Sequence, residues 1–285
     1  MNRRQALALL AAAPALGVRF ARAARQHVPA PLLATHRIVS FYGHPLAPVL
    51  GVLGEQQGEA TVARLRAQAD AYLPLSDDRE IQPALHLIYA VAQASPGSDG
   101  LYLGRMSDAL VERYVTLARD NGLLLFLDIQ MGRSTVDTEF AHVAPFLAED
   151  HVHLALDPEF AWGAGVTPVE DIGYLSAAQI NRAQALLGEM AVSRALSGKV
   201  LIIHQFRPGM VREKAAVARF EGVEVVYDMD GFGPPAAKLA TWERVIVQDG
   251  VANAGVKLFY RYDVPLMSPA DVLALEPRPA VVIYQ

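Results

Sequence analysis

The sequence predicts an α/β protein that folds as one (β/α)8 barrel, the TIM-barrel architecture. Its 285 residues exceed the roughly 250 that such a barrel needs, without requiring a second domain. Eight short apolar runs recur along the chain, and the stretches between them have helical periodicity. No G-x-G-x-x-G follows the first run, which argues against a dinucleotide-binding open sheet. Alternating strands and helices in this number favour closure into a barrel.

The eight runs are the predicted strands. Most are nearly continuous Val, Ile, Leu and Phe, as expected of parallel strands that are covered on both faces. They span residues 37–42, 84–91, 123–129, 152–156, 200–204, 223–227, 256–260 and 281–284.

Helix signals lie between these runs. Apolar residues at helical spacing predict helices over 60–72 and 106–118. A hydroxyl followed by a proline and an acid predicts that helices start at Thr167 and Ser268, and Ser176 opens a predicted helix to about residue 195.

The printed chain stops directly after the eighth run. We therefore expect a barrel that lacks a final C-terminal helix, with the C-terminal carboxylate of Gln285 near its mouth. Residues 26–35 or a partner chain would cover the gap left by that helix.

Residues 1–25 predict an export signal, so that the barrel domain spans 26–285. Arg3 and Arg4 precede an apolar stretch of small residues over 6–18, and an A-x-A exit follows at 21–23. The paired arginines match the twin-arginine route loosely. The mature protein would then be periplasmic or extracellular. The alternative interpretation is an amphipathic N-terminal helix packed on the barrel.

Composition narrows the partners. Residues 1–25 hold five of the 25 basic residues and no acid, which leaves 20 basic residues against 30 acidic ones. Such an acidic chain argues against a nucleic-acid partner. No later apolar run reaches the about 20 residues of a stable membrane span. The absence of cysteine excludes disulfides, a thiol nucleophile and thiolate metal ligands. Nothing in the sequence sets an oligomeric state.

Polar residues gather at the carboxyl ends of the predicted strands, where barrel enzymes carry catalytic groups. Three strands end with polar residues two positions apart, which places both members on one face. These pairs are Asp128 and Gln130, Asp157 and Glu159, and Asp228 and Asp230. Single acids could pair with Lys257, Arg133, Arg207 or Arg261, or cap helices. Five acids at one end favour a functional site instead.

Paired carboxyl groups suit glycoside hydrolysis. One must stay protonated to donate to the leaving oxygen, while the other stays ionised to attack, activate water or stabilise the oxocarbenium-like state. Repulsion between neighbouring acids separates their pKa values. Aromatic residues offer flat surfaces for sugar rings, although each taken singly is more often ordinary packing. They are Tyr42, Tyr89, Trp162, Phe206, Tyr227, Phe232, Tyr260 and Tyr262.

Histidines raise the alternative of a metal site. His44 and His204 lie at strand ends, whereas His86 and His153 lie inside strands and are expected to be core residues. Imidazole and carboxylate ligands would suit a metal. The first strand has no H-x-H, and His44 and His204 come from distant strands, so we expect no metal and no other cofactor. The absence of G-x-S-x-G argues against a serine triad.

Several segments carry a resemblance to known proteins. They are FYGHP at 41–45, GVLGE at 51–55, LDIQMGRSTV at 127–136, HLALDPEF at 153–160, HQF at 204–206, DMDGFG at 228–233, KLFYRYDVPL at 257–266 and VIYQ at 282–285. Together they make the chain resemble a group of exported bacterial barrel proteins whose reaction is unassigned. This resemblance implies the fold and export, and no reaction.

The D-x-E at 157–159 is a second, local resemblance. It is similar to the acid pair of glycoside hydrolase family 25 muramidases, which are also barrels. The resemblance implies Glu159 as general acid and Asp157 as its stabilising neighbour. Those muramidases carry an aspartate on the first strand, where this chain has Tyr42 and His44, so their substrate choice is not implied.

We therefore expect an exported glycoside hydrolase-like enzyme that acts on a polysaccharide or cell-envelope glycan. Glu159 would donate the proton, and Asp157, Asp228 or Asp230 would be the ionised partner. The predicted substrate-binding residues are Tyr42, His44, Asp128, Gln130, His204, Tyr260 and Tyr262. Two alternatives stay open: a non-catalytic carbohydrate-binding or envelope-binding barrel, and a metal-dependent phosphodiesterase.

Overall fold

Eight parallel strands close into a barrel in the computed structural model, which describes residues 31–75 and 77–285. Each strand pairs with the next one along the chain, and the eighth pairs with the first. The predicted fold and all eight predicted strands are confirmed. The predicted export signal at 1–25 lies outside the described residues. The strands are β1 (His36–Gly43), β2 (Glu80–Ala92), β3 (Leu124–Gly132), β4 (Val152–Ala161), β5 (Lys199–Gln205), β6 (Val223–Met229), β7 (Ala254–Leu258) and β8 (Val281–Tyr284).

Helices follow six of the eight strands and cover the outside of the barrel. They are α1 (Glu59–Asp70), α2 (Asp108–Asp120), α3 (Val136–Leu147), α4 (Ala177–Ser193), α5 (Pro235–Trp242) and α6 (Pro269–Leu273). After β5 the chain forms two 3-10 turns, Pro208–Met210 and Lys214–Ala216, and between them a short strand, Val211–Arg212, that pairs with Leu175–Ser176. Within the described residues, no α-helix lies between β5 and β6. None of the described helices combines the length and apolarity needed to cross a membrane.

Two of the three predicted capping sequences start helices. Ser176 and Ser268 each form a capping box, in which the hydroxyl accepts a backbone N–H and the side chain three residues on reaches back. The prediction of a helix start at Thr167 is wrong, because Val169 has a φ of 73°. This left-handed conformation is incompatible with a helix, and the segment forms a turn instead.

The outer face of β8 is covered from within the described chain. Tyr72, just beyond α1, is buried and its hydroxyl lies 2.6 Å from that of Tyr284. The Tyr260 ring stacks on Tyr284 with a centroid distance of 5.2 Å. Residues 26–35 were expected to cover the outside of the barrel next to β8, but the described part, 31–35, lies elsewhere. Leu33 packs into the barrel interior, and Glu224 accepts the backbone N–H groups of Leu32 and Leu33.

The barrel interior changes from apolar to polar along its axis. Alternation along β3 directs Phe126, Asp128 and Gln130 inward in succession. The interior apolar cluster contains Ile38, Leu33, Ala84, Phe126, Ala155, Ile202, Val226 and Ile283. Beyond this apolar cluster, toward the carboxyl ends of the strands, the barrel interior is filled by buried polar side chains. This gradient places charged groups at the end where barrels bind ligands.

Candidate active site

A cavity of about 550 Å³ opens at the carboxyl ends of the strands. Such a volume lies within the range of small-molecule sites. Its charged and amide-bearing lining is Gln130, Asp157, Glu159, Arg207, Asp230, Arg244, Lys257 and Gln285. Its aromatic lining is Tyr42, Phe160, Phe206, Phe232 and Phe259. Acids and flat apolar rings therefore share one space.

A larger groove of about 850 Å³ lies outside the barrel against β6, where no helix follows β5. Its lining includes Asp249, which is already paired with Lys214 at 2.7 Å. Because Lys214 neutralises Asp249, this groove is less suited to acid–base catalysis than the barrel mouth, where three acids share one cavity. We therefore locate the candidate site at the mouth.

Asp157 and Glu159 project from the end of β4. The Asp157 carboxylate accepts the backbone N–H of Glu159 at 3.0 Å, which fixes the strand end. Burial raises the pKa of Asp157 well above its usual range, and the neighbouring Asp128 and Asp230 add to this. Burial, followed by the charge of Asp230, raises the pKa of Glu159 to about 7. The Glu159 carboxyl thus holds a proton at mildly acidic pH while lining an open cavity.

Lys257 from β7 forms an ion pair with Asp230, the third acid that lines the cavity. Its Nζ lies 3.2 Å from Asp230, and both side chains are almost inaccessible. Burial alone would lower the pKa of Lys257, but the carboxylates of Asp230 and Asp157 raise it. The same ammonium lies 3.6 Å from the centroid of the Tyr42 ring. Burial raises the pKa of Asp230, and the charge of Lys257 opposes this rise and favours the ionised form.

A second polar layer lies beneath the cavity floor. Tyr42 donates its hydroxyl hydrogen to Asp128 at 2.6 Å, and Nδ1 of His204 lies 2.9 Å from Asp228. Asp128, His204 and Asp228 are fully buried and do not line the cavity. Among these predicted site residues, Tyr42 alone reaches the cavity and connects the two layers.

Three more predicted substrate-binding residues, besides Asp128 and His204, lie outside the cavity lining. His44 accepts the backbone N–H of Leu46 and so stabilises its own turn. Tyr260 faces outward on Tyr284 and donates to Gln68 at 2.7 Å. Tyr262 is exposed at the margin of the mouth. Gln130 does line the cavity, with its side-chain oxygen held by the backbone N–H of Ala92 at 2.8 Å.

Sequence reasoning missed some lining residues. Phe259 lies two positions beyond Lys257, and period two predicts that both face inward. Phe160 follows Glu159 directly and also lines the cavity. Proximity to the acids was the available signal for both rings. His86, expected to be a core residue, is buried, and its ring lies 4.9 Å from that of Tyr42.

The fold and the cavity define a (β/α)8 barrel with a carboxylate-rich site at the carboxyl ends of its strands. Comparison of the sequence with protein-family models and with curated proteins found no match. Function is therefore inferred from the chemistry of the site.

Proposed function

We propose that the protein is a glycoside hydrolase-like enzyme that acts on a polysaccharide or cell-envelope glycan. The observation that carries the proposal is the Glu159 carboxyl, with a pKa of about 7, in one cavity with the ion-paired Asp230. Two carboxyl groups in opposite protonation states are what glycoside hydrolysis requires.

Glu159 is assigned the role of general acid. Its proton passes to the oxygen of the leaving sugar as the bond from that oxygen to the anomeric carbon breaks. Water supplies the hydroxyl group that forms the new bond at this carbon. The remaining proton of the water is returned to Glu159, directly or by way of Asp230, so the enzyme ends in its starting state.

Asp230 is the best-supported ionised partner among the three predicted acids. Burial raises the pKa of Asp230 too, but its ion pair with Lys257 opposes the rise and favours the carboxylate form. Asp157 is less suited, because burial and neighbouring acids favour its protonated form. Asp228 lies beneath the cavity and does not line it. Direct attack and activation of water are both compatible with an ionised Asp230.

Aromatic side chains support a sugar ligand. The Phe232 side chain is 68% exposed, and its ring packs edge-on against Phe259 at 5.8 Å. Phe206 lines the same cavity. An exposed ring at the mouth of an acidic cavity offers a flat apolar surface for the faces of sugars. Export is part of this proposal, because residues 1–25 resemble a signal and envelope glycans lie outside the cytoplasm.

The test is to incubate the purified protein with a panel of envelope polysaccharides and to measure newly formed reducing ends. We expect turnover of at least one glycan, and a loss of 10² to 10⁴-fold in Glu159→Gln, on the order expected for a general acid. Glu189→Gln is the matched control, because Glu189 is an exposed acid on α4 that does not line the cavity.

Retained turnover in a folded Glu159→Gln variant would overturn the assignment. Binding of a glycan without any release of reducing ends would also contradict hydrolysis, and it would favour a non-catalytic binding barrel.

A further inference from the structure

Three buried side chains beneath the cavity floor have the composition of a metal site. His86 comes from β2, Asp128 from β3 and His204 from β5, and all three are inaccessible to solvent. One nitrogen or oxygen atom from each lies within 4.8 Å of those of the other two. The rings of His86 and His204 lie 5.2 Å apart. Two imidazoles and one carboxylate thus lie close together in the barrel interior.

Several polar atoms of this group have no hydrogen-bond partner among the described residues. They are both ring nitrogens of His86, Nε2 of His204 and Oδ1 of Asp128. Buried polar atoms are rarely left unpaired, because each loses its interactions with water and gains none in return. One ion can take a single nitrogen of His86, so one atom from each of the three residues is free to share a ligand that is not a protein group.

The orientation of His204 supports a cation as that ligand. Its Nδ1 lies 2.9 Å from Asp228, and in the tautomer that carries its proton on Nδ1 this nitrogen donates to that carboxylate. Nε2 then presents a lone pair to Asp128, whose Oδ2 is 3.8 Å away. Two acceptors at this distance repel each other unless a positive charge lies between them. A carboxylate on the far nitrogen is the usual arrangement for histidines that bind metals.

The distance between these atoms also fits a shared ion. Ligands that lie about 2.0 to 2.2 Å from an ion are at most roughly 4.3 Å apart. The separation of 3.8 Å between Nε2 of His204 and Oδ2 of Asp128 is within this limit. Imidazole with carboxylate suits zinc and its first-row neighbours better than magnesium or calcium.

The charges around the cluster favour a cation as well. Asp128 and Asp228 are buried carboxyl groups at the cluster, and the ammonium of Lys257 is engaged by Asp230. A divalent ion would offset the remaining acids. Tyr42 hydrogen-bonds to Asp128 and lines the cavity, so it separates the cluster from the substrate space. The ion would therefore act on stability and not on the reacting bond.

We propose that His86, Asp128 and His204 bind one divalent first-row transition-metal ion, with Asp228 holding His204 in the required tautomer. The proposal concerns a site apart from the candidate active site and does not depend on glycoside hydrolysis.

Metal content and metal-dependent melting test the proposal. The purified full chain is assayed by mass spectrometry of its metals, stripped with a chelator, and titrated separately with Zn²⁺ and Co²⁺. We expect one ion per chain, and a rise in Tm of about 5 °C when the metal is in hundredfold excess over Kd. His86→Gln and Asp128→Asn should lose both the bound ion and the rise in Tm.

His153→Gln is the matched control. His153 is also fully buried in the barrel, but its Nδ1 accepts the backbone N–H of Val200 at 3.2 Å and it is not part of the cluster. This variant should bind one ion as the wild type does. Asp228→Asn keeps all three ligands and should weaken metal binding by about 10 to 100-fold, which gives a readout if a ligand variant fails to fold.

Failure of the stripped, folded wild type to bind Zn²⁺ or Co²⁺ would overturn the proposal and would favour a proton shared between Asp128 and His204. Undiminished metal binding in folded His86→Gln and Asp128→Asn, or in Asp228→Asn if those two do not fold, would overturn it equally.

Discussion

Both carboxylate oxygens of Asp230 lie 3.2 Å from Nζ of Lys257, and this ion pair forms part of the cavity wall. The pair joins the end of β6 to β7 in a region with little access to solvent. The charge of Lys257 opposes the effect of burial on the pKa of Asp230, the acid proposed to act together with Glu159.

Removing one partner of this pair should destabilise the fold. Lys257→Met leaves an unpaired carboxylate in a buried setting, and we expect a loss of about 3 to 5 kcal/mol in the free energy of unfolding. Urea denaturation measures this loss. Arg182→Met is the control, because it breaks a largely exposed pair with Asp137 and should cost at most about 1 kcal/mol. Equal losses in the two variants would contradict a buried ion pair.

The Glu159 carboxyl should make stability depend on pH. Its pKa of about 7 in the folded chain exceeds its ordinary value of 4.5, so the folded state favours the protonated form. This contribution to stability is complete below pH 4.5 and is lost as the pH rises through about 7. The amide of Glu159→Gln cannot ionise, so the variant does not suffer this loss of stability as the pH rises. The variant should therefore gain stability relative to the wild type between pH 5 and pH 8.

Urea midpoints of both proteins at several pH values measure this difference. A difference between wild type and variant that stays constant with pH would show that the pKa of Glu159 is not raised by folding.

Much of the fold could be predicted because local signals and global closure agree. Eight apolar runs became the eight strands, and the serines at 176 and 268 start helices as their hydroxyl groups predict. The predicted helix start at Thr167 is wrong because the capping sequence does not show that Val169 takes a left-handed conformation. That conformation is set by the surrounding structure and not by the four residues of the signal.

The site was harder to predict than the fold. Period two placed Asp157 and Glu159 on one face, but it could not show that Asp228 ends below the cavity while Asp230 lines it. His86 looks like a core residue in sequence, because its neighbours along β2 are apolar. Its closeness to His204 depends on strands that are not adjacent in the barrel.

Phe232 should contribute to substrate affinity and little to folding. Its ring is mostly exposed, so Phe232→Ala should leave Tm nearly unchanged. Loss of a stacking surface worth about 0.5 to 1.5 kcal/mol corresponds to roughly a 2 to 10-fold rise in KM. Leu46→Ala is the control, since Leu46 is equally exposed and does not line the cavity. A similar KM for the Phe232 variant and the wild type would exclude this ring from the binding surface.

Glu224 should stabilise the amino-terminal end of the barrel. One of its carboxylate oxygens accepts the backbone N–H groups of Leu32 at 2.6 Å and Leu33 at 3.1 Å. Glu224→Ala leaves both donors without this acceptor, and we expect a loss of about 1 to 3 kcal/mol in thermal or urea unfolding. Glu221→Ala, which alters an exposed acid nearby, should have little effect. Equal stability of the two variants would contradict a stabilising role for the contacts of Glu224 with Leu32 and Leu33.

The pH dependence of kcat/KM on a hydrolysed glycan tests the central claim most directly, because it reports whether a protonated Glu159 is the form that acts. The account predicts activity that falls as the pH rises past about 7, since the general acid then loses its proton. Glu159→Gln should show only residual activity without this limb. A kcat/KM that keeps rising above pH 8 would contradict the account. So would a fall in kcat/KM above pH 7 that persists in Glu159→Gln.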